Sequence, residues 1–415
     1  MSTSVNKTFD RFKKSYHELF PGLVPLFILA HFMHHIPGFI IQSVQPSIRD
    51  YFGLDYLQIG TLNGVYNASY GASNLVSGWL SGDRISTRLL IAIGVAGVAI
   101  FGLIVGLSLN YSMMLVALLI MGILGGGYHP SASPLIADTV AQEKRGQILG
   151  MHQVGGTLAN VLAPLLTAAI ITLLGIFMSS NFTWRGPFII LAIPSIAFGL
   201  YLYFLLKRRQ LGGIAVKTET ATFAIRINPR GYLRRMIALI TLGTAVQVFI
   251  FSSLSYIPLL VTDQYYGPEQ AGMAFLALAH FAGLFAGPIG GYLSDRYGNV
   301  PIMLTVSLAA GPIIVLLSIG TYWWLLPIVL LLMGTCMYVA MPLAEVYVIS
   351  NARNSNRSTI LGIYYAASRG GPGILIPVIG KLIDQYNFAT AFALVGAALF
   401  VITIICSLLL AGTRD

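Results

Sequence analysis

The chain has 415 residues, of which 56% are hydrophobic and 9% charged, with a formal net charge of +10 and two cysteines. An ordinary soluble domain is about one quarter charged, so a water-soluble multi-domain enzyme is excluded, because it would lack the charge to cover its surface. Cys336 and Cys406 both fall in apolar stretches, which leaves no disulfide framework and no zinc-finger spacing.

Taken in chain order, the apolar runs between charged or Gly/Pro/Asn breaks predict twelve segments, at 20–47, 57–81, 89–109, 111–137, 147–176, 186–206, 236–262, 268–293, 300–319, 322–350, 358–383 and 387–411. A bilayer core is spanned by about 20 apolar residues. The runs contain Gly, Pro and small residues and lack the strict alternation of a lipid-facing barrel, so they read as helices. The expected fold is an all-α membrane protein of twelve transmembrane helices. The first 19 residues are polar and charged, and the run after them is too long for a signal h-region, so no cleaved signal peptide is expected.

The loops set an orientation. Lys and Arg concentrate in the N-terminal arm, in alternate loops (Arg84, Arg88, Lys144, Arg145, Arg296, Arg353, Arg357), in the stretch 207–235 and at Arg414, which places 20 of the 24 basic residues on one side. Only Arg49, Arg185 and Lys381 fall on the other side, and Arg369 lies within a span. The positive-inside rule then puts both termini in the cytoplasm. The positive charge is thus a topology signal, and no basic face with interleaved aromatics suggests a nucleic-acid partner.

An internal repeat at a constant offset of 212 residues organises the chain. Asp83-Arg84 recurs as Asp295-Arg296, Arg145 as Arg357, and Ile148-Leu149-Gly150 as Ile360-Leu361-Gly362. Met121-Gly122 recurs as Met333-Gly334, Pro130 as Pro342, Pro46 as Pro258, and Gln58 and Gly60 as Gln270 and Gly272. This predicts two pseudo-symmetric six-helix halves, 1–206 and 236–415, joined by a cytoplasmic linker at 207–235, with a solute site between them near the midplane.

These residues carry a resemblance. Gly291-Tyr-Leu-Ser-Asp295-Arg296-Tyr-Gly298, between spans 8 and 9, resembles the cytoplasmic loop signature of the major facilitator superfamily. In the first-half copy, Trp79-Leu-Ser-Gly-Asp83-Arg84, Trp79 stands where the signature has Gly. Ala30-His31-Phe32, Gly127-Tyr128-His129-Pro130 and Gly155-Gly156 through Pro164 are similar to the fosmidomycin-resistance group of bacterial drug exporters. That group tends to carry an acid one turn after its span 1 histidine, where this chain has His35. The resemblance implies proton-driven export, and it implies that Asp138 partners the loop arginine. Asp83, Arg84, Asp138, Arg145, Asp295 and Arg296 are accordingly expected to form gating loops, with Asp138 paired to Arg84 or Arg145.

Polar residues spaced three and four apart share a helix face. His31, His35, Gly38, Gln42 and Gln45 form such a stripe on span 1, and Asn63, Asn67, Gly71, Asn74 and Gly78 form one on span 2. Span 4 offers Gly122, Gly126, His129 and Ser133, and span 5 offers Gly146, Gly150, Gln153, Thr157 and Asn160. Polar groups in hydrocarbon are costly unless paired or wet, so these stripes should face the interior. The alternative is helix–helix packing, which small residues and amides also serve.

Two ionisable groups stand deep in the second half, Glu345 in span 10 and Arg369 in span 11. Arg369, which shares a face with Tyr365, is expected to meet either Glu345 or an anionic group of the cargo. Six span histidines, His31, His34, His35, His129, His152 and His280, supply groups that titrate near physiological pH. The expected coupling residues are His31, His35, His129 and Glu345. The expected cavity lining is His31, His35, Gln42, Gln45, Asn63, Asn67, His129, Gln153, Gln247, Tyr365 and Arg369. His31 and His35 also have the i,i+4 spacing to hold a divalent metal with His129 or His152, but no carboxylate or thiolate supports it in the first-half spans, and no metal is expected. His34 lies off the stripe as an interface residue, and His280 is either an interhelical hydrogen bond or functional.

No phosphate-binding loop, Gly-x-Ser-x-Gly elbow or His-Glu-x-x-His helix occurs, so neither ATP nor enzymatic chemistry is expected, and the proton gradient replaces a cofactor. The sequence therefore predicts a secondary transporter of a bacterial cytoplasmic (inner) membrane. It would export a small polar or anionic organic solute by proton antiport, with lipid, protons and solute as its partners and a monomer sufficing. The rivals are a proton symporter taking up an organic anion or metallophore, a passive facilitator, and a membrane enzyme or lipid flippase.

Overall fold

The computed structural model describes residues 22–81, 84–214, 232–319, 323–351 and 357–411. Those residues are almost entirely helical, and their long helices fall on the twelve predicted segments. Six spans precede the linker. They are α1 (Val24–Ser43, continued by Gln45–Phe52), α2 (Tyr56–Leu80), α3 (Thr87–Ala92, Ile93–Gly97 and Val98–Gly106), α4 (Tyr111–Gly125 and Tyr128–Asp138), α5 (Arg145–Leu174) and α6 (Arg185–Arg208). Six follow it: α7 (Tyr232–Leu254 and Ile257–Asp263), α8 (Glu269–Phe281 and Gly283–Tyr297), α9 (Asn299–Leu316), α10 (Leu326–Asn351), α11 (Arg357–Gly370 and Pro372–Gln385) and α12 (Phe388–Leu410). By length and composition, ten helices among the described residues suffice to cross a membrane.

Four of the six interrupted spans among the described residues share a feature. α1, α4, α7 and α11 interrupt at Val44, Gly126–Gly127, Ser255–Tyr256 and Gly371, each one to four residues ahead of a proline (Pro46, Pro130, Pro258, Pro372). A proline lacks the N–H and its ring crowds the carbonyl four residues back, so the helix opens there and restarts. Pro46 and Pro258 are repeat partners, and α1 and α7 bend at equivalent points.

Two helix pairs join the spans before the linker to those after it. α2 lies along α11, and α5 packs on the first segment of α8. The α2–α11 pair is close because glycines face each other. A Cβ on Gly64 would stand 2.7 Å from the Gly373 carbonyl oxygen and 2.7 Å from Pro377, and one on Gly373 would stand 2.6 Å from Ala68. Small residues at such spacing let two backbones approach within a membrane.

The bundle is closed at one end only. The start of α1, the end of α6, the start of α7 and the end of α12 belong to one end, called here the terminus side; the short loops after α1, α7 and α11 belong to the far side. The polar stripe of α5 shows the asymmetry. Its far-side member Asn160 donates from Nδ2 to the Tyr338 hydroxyl of α10 at 2.9 Å. Gly150 and Gly146, about three and four turns toward the terminus side on that same face, have open space around them, as does Gly291 of α8. The second segment of α8 correspondingly touches α5 far less than the first does. A cleft between the two sets of spans thus opens toward the terminus side.

Candidate functional site

Five histidines gather where α1, α4 and α5 meet. α1 contributes His31, His34 and His35 within two turns, the α4 break directs Tyr128 and His129 inward, and α5 brings His152. His31, His34 and His152 are buried, whereas His35 and His129 are partly exposed. The His31 ring stacks on that of His152 at 4.3 Å and meets that of His129 edge-on at 4.9 Å. Gly156 makes this possible, since a Cβ there would stand 2.7 Å from both Nε2 and Cε1 of His31.

Hydrogen bonding fixes which nitrogens carry protons. A carbonyl can only accept. His31 Nδ1 therefore donates to the His152 carbonyl at 2.8 Å, and His34 Nδ1 donates to the Gly94 carbonyl at 2.6 Å. That second carbonyl lies in the π-helical turn Ile93–Gly97 of α3, an irregularity of the sort that often serves functional sites. In the neutral rings both Nε2 atoms are then acceptors. His34 Nε2 takes the Tyr70 hydroxyl at 2.9 Å, and His31 Nε2 takes the His35 Nε2–H at 3.1 Å. His152 Nε2 meets the Tyr128 hydroxyl at 3.2 Å. His129 differs: its Nε2 is buried without a hydrogen-bond partner.

Arg369 faces this cluster from the second set of spans, with Glu345 near it. The Arg369 charge acts on His31, His34, His35 and His129, and equally on Glu345, Tyr364 and Tyr365. Among the described residues its guanidinium makes no hydrogen bond and no ion pair. The expected contact with Glu345 does not form, because Glu345 Oε1 instead accepts from the Tyr365 hydroxyl at 2.5 Å. A short neutral donor one turn from Arg369 on α11 satisfies the carboxylate and leaves the cation to the cleft.

The rest of the expected lining separates by depth. Gln153 is exposed in the cleft and Asn67 partly so, its Nδ2 bonded to the Asn63 carbonyl at 2.8 Å. Gln42, Gln45 and Asn63 are buried. Gln42 Nε2 donates to Ser255 Oγ of α7 at 2.9 Å, so the lower half of the α1 stripe belongs to the far-side seal. Gln247 is a packing group: it donates at 2.5 Å to the Tyr364 hydroxyl, which donates in turn to the Met341 carbonyl at 3.1 Å. His280 sits in the seal as well, its Nδ1 hydrogen-bonded to the Tyr338 hydroxyl at 2.9 Å with the Phe39 ring against it at 5.0 Å.

The gating pair expected at Asp138 is not present. Arg145 Nε donates at 2.9 Å to the Ala137 carbonyl in the last turn of α4, and Asp138 is exposed without an ion pair to Arg145 or Arg84. A basic side chain at a helix C-terminus is satisfied by the free carbonyls there. Asp295 and Arg296 are exposed at the end of α8, Arg296 lying over the Tyr297 ring at 5.4 Å, and Asp83 lies outside the described residues.

A far-side lock went unread in the sequence. Arg49 bonds Asp263 through both terminal nitrogens, and the Tyr56 hydroxyl donates to Asp263 at 2.6 Å. Ser47 donates from its hydroxyl to Glu269 at 2.5 Å and from its N–H at 3.2 Å. Asp384 of α11 accepts the Tyr56 and Leu57 N–H groups at 3.0 and 2.8 Å. The one available signal was the grouping of Asp50, Asp55, Asp263, Glu269 and Asp384 in the far-side loops and helix ends, where few cations occur.

A bundle of twelve spans, sealed at one end and cleft at the other around buried polar groups, has the architecture of a solute carrier. The family model of the Major Facilitator Superfamily matches residues 27–284 and 256–415, and the chain belongs to that superfamily. It is similar to Multidrug resistance protein MdtG of Citrobacter koseri, at 25% identity over 350 residues, covering 81% of this chain and 82% of MdtG. It is also similar to the Proline/betaine transporter of Escherichia coli K12, at 25% identity over 246 residues, covering 55% and 49%. Among solved structures, a POT family transporter in complex with 5-aminolevulinic acid superposes with a TM-score of 0.78 at 13% identity, over 94% of this chain and 96% of that one. The protein is therefore a multi-pass membrane transporter and not an enzyme.

Proposed function

We propose that the protein exports a small polar or anionic organic solute from a bacterial cell in exchange for protons. The observation that carries this reading is Arg369, a cation among apolar helices with no hydrogen bond or ion pair among the described residues, facing a group of imidazoles. An unpaired intramembrane charge is costly, so its partner is sought in the cargo. The terminus side, which holds most of the Lys and Arg, is the cytoplasmic side. The conformation described here is then open to the cytoplasm and would take up cargo there. The halves 1–206 and 236–415 would rock about the α2–α11 and α5–α8 contacts, the far-side lock would part, and the cleft would close behind the cargo.

Proton exchange falls to His31, His35, His129 and Glu345. Histidine gains and loses its proton near neutral pH, and Glu345 is the carboxylate closest to the middle of a span. Each alters the charge seen by cargo at Arg369, which is what exchange requires. Similarity to a protein named for multidrug resistance favours export.

Purified protein in vesicles with an acidic lumen and a pH-sensitive dye tests the reading. Phosphonates, carboxylates and aromatic antibiotics added outside should each be tried, and a true cargo should drain luminal protons. Glu345→Gln should abolish this drainage. Acidification of the lumen on cargo entry would instead establish symport, the second reading, which similarity to a protein named a proline/betaine transporter favours. Cargo flux without any proton response would mean a facilitator.

A further inference from the structure

The histidine cluster holds more than proton carriers. One nitrogen from each of His31, His35 and His129 can be chosen so that all three lie within 4.8 Å of one another. We infer that these three side chains form a binding site for a divalent first-row transition ion, with its open coordination position facing the cleft.

Three features support a metal over a purely packed cluster. The first is distance. A tetrahedral ion with metal–nitrogen bonds of about 2.1 Å holds its ligand atoms about 3.4 Å apart. His31 Nε2 and His35 Nε2 are already 3.1 Å apart, so the ion requires that the His35 proton pass from Nε2 to Nδ1 and that His129 swing inward, by a movement on the order of 1 Å. The second is orientation. A metal-bound imidazole commonly donates its other N–H to a carbonyl, which fixes the ring and its tautomer. His31 does this through Nδ1 to the His152 carbonyl, and so presents Nε2 as a lone pair to the site. The third is the orphan nitrogen: His129 Nε2 is buried and has no hydrogen-bond partner, an expense that a ligand would repay.

Ligand chemistry sets the class of ion. Three neutral imidazoles suit zinc, nickel, copper or iron and do not suit magnesium or calcium, which require oxygen. Three protein ligands leave a fourth position free, as in open zinc sites. The ion would add two positive charges within the field of Arg369, and the only carboxylates on the helices bearing the ligands, Asp50 and Asp138, stand at the helix ends away from the cluster. An anionic oxygen donor of the solute completes both the coordination shell and the charge. That last step rests on the anionic-cargo reading above, whereas the ion site does not.

Cobalt(II) alone is the probe, added to the full-length detergent-purified protein after removal of any affinity tag. Bound at three imidazoles, it should give the intense visible bands of a four-coordinate ion at a stoichiometry of one. His129→Gln removes a side chain whose Nε2 bonds nothing, so it should leave the fold intact. It should weaken cobalt binding at least about tenfold, as even the loss of an outer-shell partner can. His35→Gln should do the same, while His280→Gln, a control in the far-side seal, should bind as the wild type does. The inference is overturned if the wild type gives no such bands, or if both His35→Gln and His129→Gln keep them undiminished while eluting as folded monodisperse protein. Binding at equilibrium requires no transport. Proton-coupled flux in chelator-treated vesicles therefore reads the proposed function separately.

Discussion

Asp263 at the end of α7 binds Arg49 of α1, 214 residues away, through both guanidinium nitrogens, and accepts the Tyr56 and Thr262 hydroxyls as well. Burial works against the Arg49 charge, but the bonds to Asp263 and Asp50 outweigh it and hold the guanidinium above its ordinary pKa. The pair ties the spans before the linker to those after it, on the side where the cleft is shut. Hydrogen bonds to charged groups contribute about 1.5–3 kcal/mol each, and each 1.4 kcal/mol is about tenfold in a population. Asp263→Asn should accordingly raise the far-side-open population about tenfold or more. Spin labels on cysteines introduced at Tyr51 and Tyr266, both exposed far-side positions, should report a longer distance component in that variant. An unaltered distance distribution would show that the lock does not hold the halves together.

Asp384 supplies a second tie of a different type. α2 begins with its own capping box, in which Asp55 accepts the Gln58 N–H at 2.7 Å and Gln58 returns a bond to the Asp55 N–H at 3.0 Å. Asp384 of α11 satisfies the next two N–H groups of the same helix end, so one carboxylate acts as a cap and as an interface contact. Loss of a cap costs about 1 kcal/mol. Asp55→Ala should therefore lower the thermal midpoint and leave the label distances alone, whereas Asp384→Ala should change both. Equal behaviour of the two variants would reduce Asp384 to an ordinary cap.

The spans were legible because a helix that meets lipid must be apolar along its length; the breaks ahead of Pro46, Pro130, Pro258 and Pro372 were not, because Pro164, Pro194 and Pro342 lie inside unbroken helices. Part of the site was legible too. The spacing of His31 and His35 gave their shared face, and the α4 motif gave His129. Periodicity cannot give depth, however. His31 and Gln42 lie on one stripe, yet the first belongs to the histidine cluster and the second to the seal against Ser255. Arg49 read as a stray topological charge because its partner is distant in sequence and their pairing depends on how the halves close. Glu345 and Arg369 looked like partners by charge, but the Tyr365 hydroxyl reaches the carboxylate first.

Gly156 sets the position of the cluster. A Cβ at this residue would press on the His31 ring at 2.7 Å and on His35 Cδ2 at 3.2 Å, and both rings are tied by hydrogen bonds. Overpacking of this kind costs about 1–3 kcal/mol. Gly156→Ala should lower the thermal midpoint and depress proton-coupled flux together. Gly146→Ala, on the same helix with open space around it, should gain helix propensity and lose nothing in stability. Wild-type stability in Gly156→Ala would mean that the rings move aside at no cost, and the cluster would then be softer than its hydrogen bonds indicate.

Arg369 separates a binding residue from a structural one. A guanidinium that braced the fold would be missed on removal, since stripping one partner from a buried ion pair costs about 3–5 kcal/mol. Arg369 has no such partner among the described residues, so its charge is a burden on the empty carrier. Arg369→Gln should hold or raise the thermal midpoint while raising the half-saturating concentration of an anionic cargo about tenfold, in line with the loss of one charge-assisted hydrogen bond. Arg369→Lys keeps the charge and loses the planar fork, and it should fall between the two. A neutral analogue of the same cargo should distinguish none of the three proteins. A lower thermal midpoint in Arg369→Gln, with cargo affinity unchanged, would transfer Arg369 from the solute site to the framework of α11.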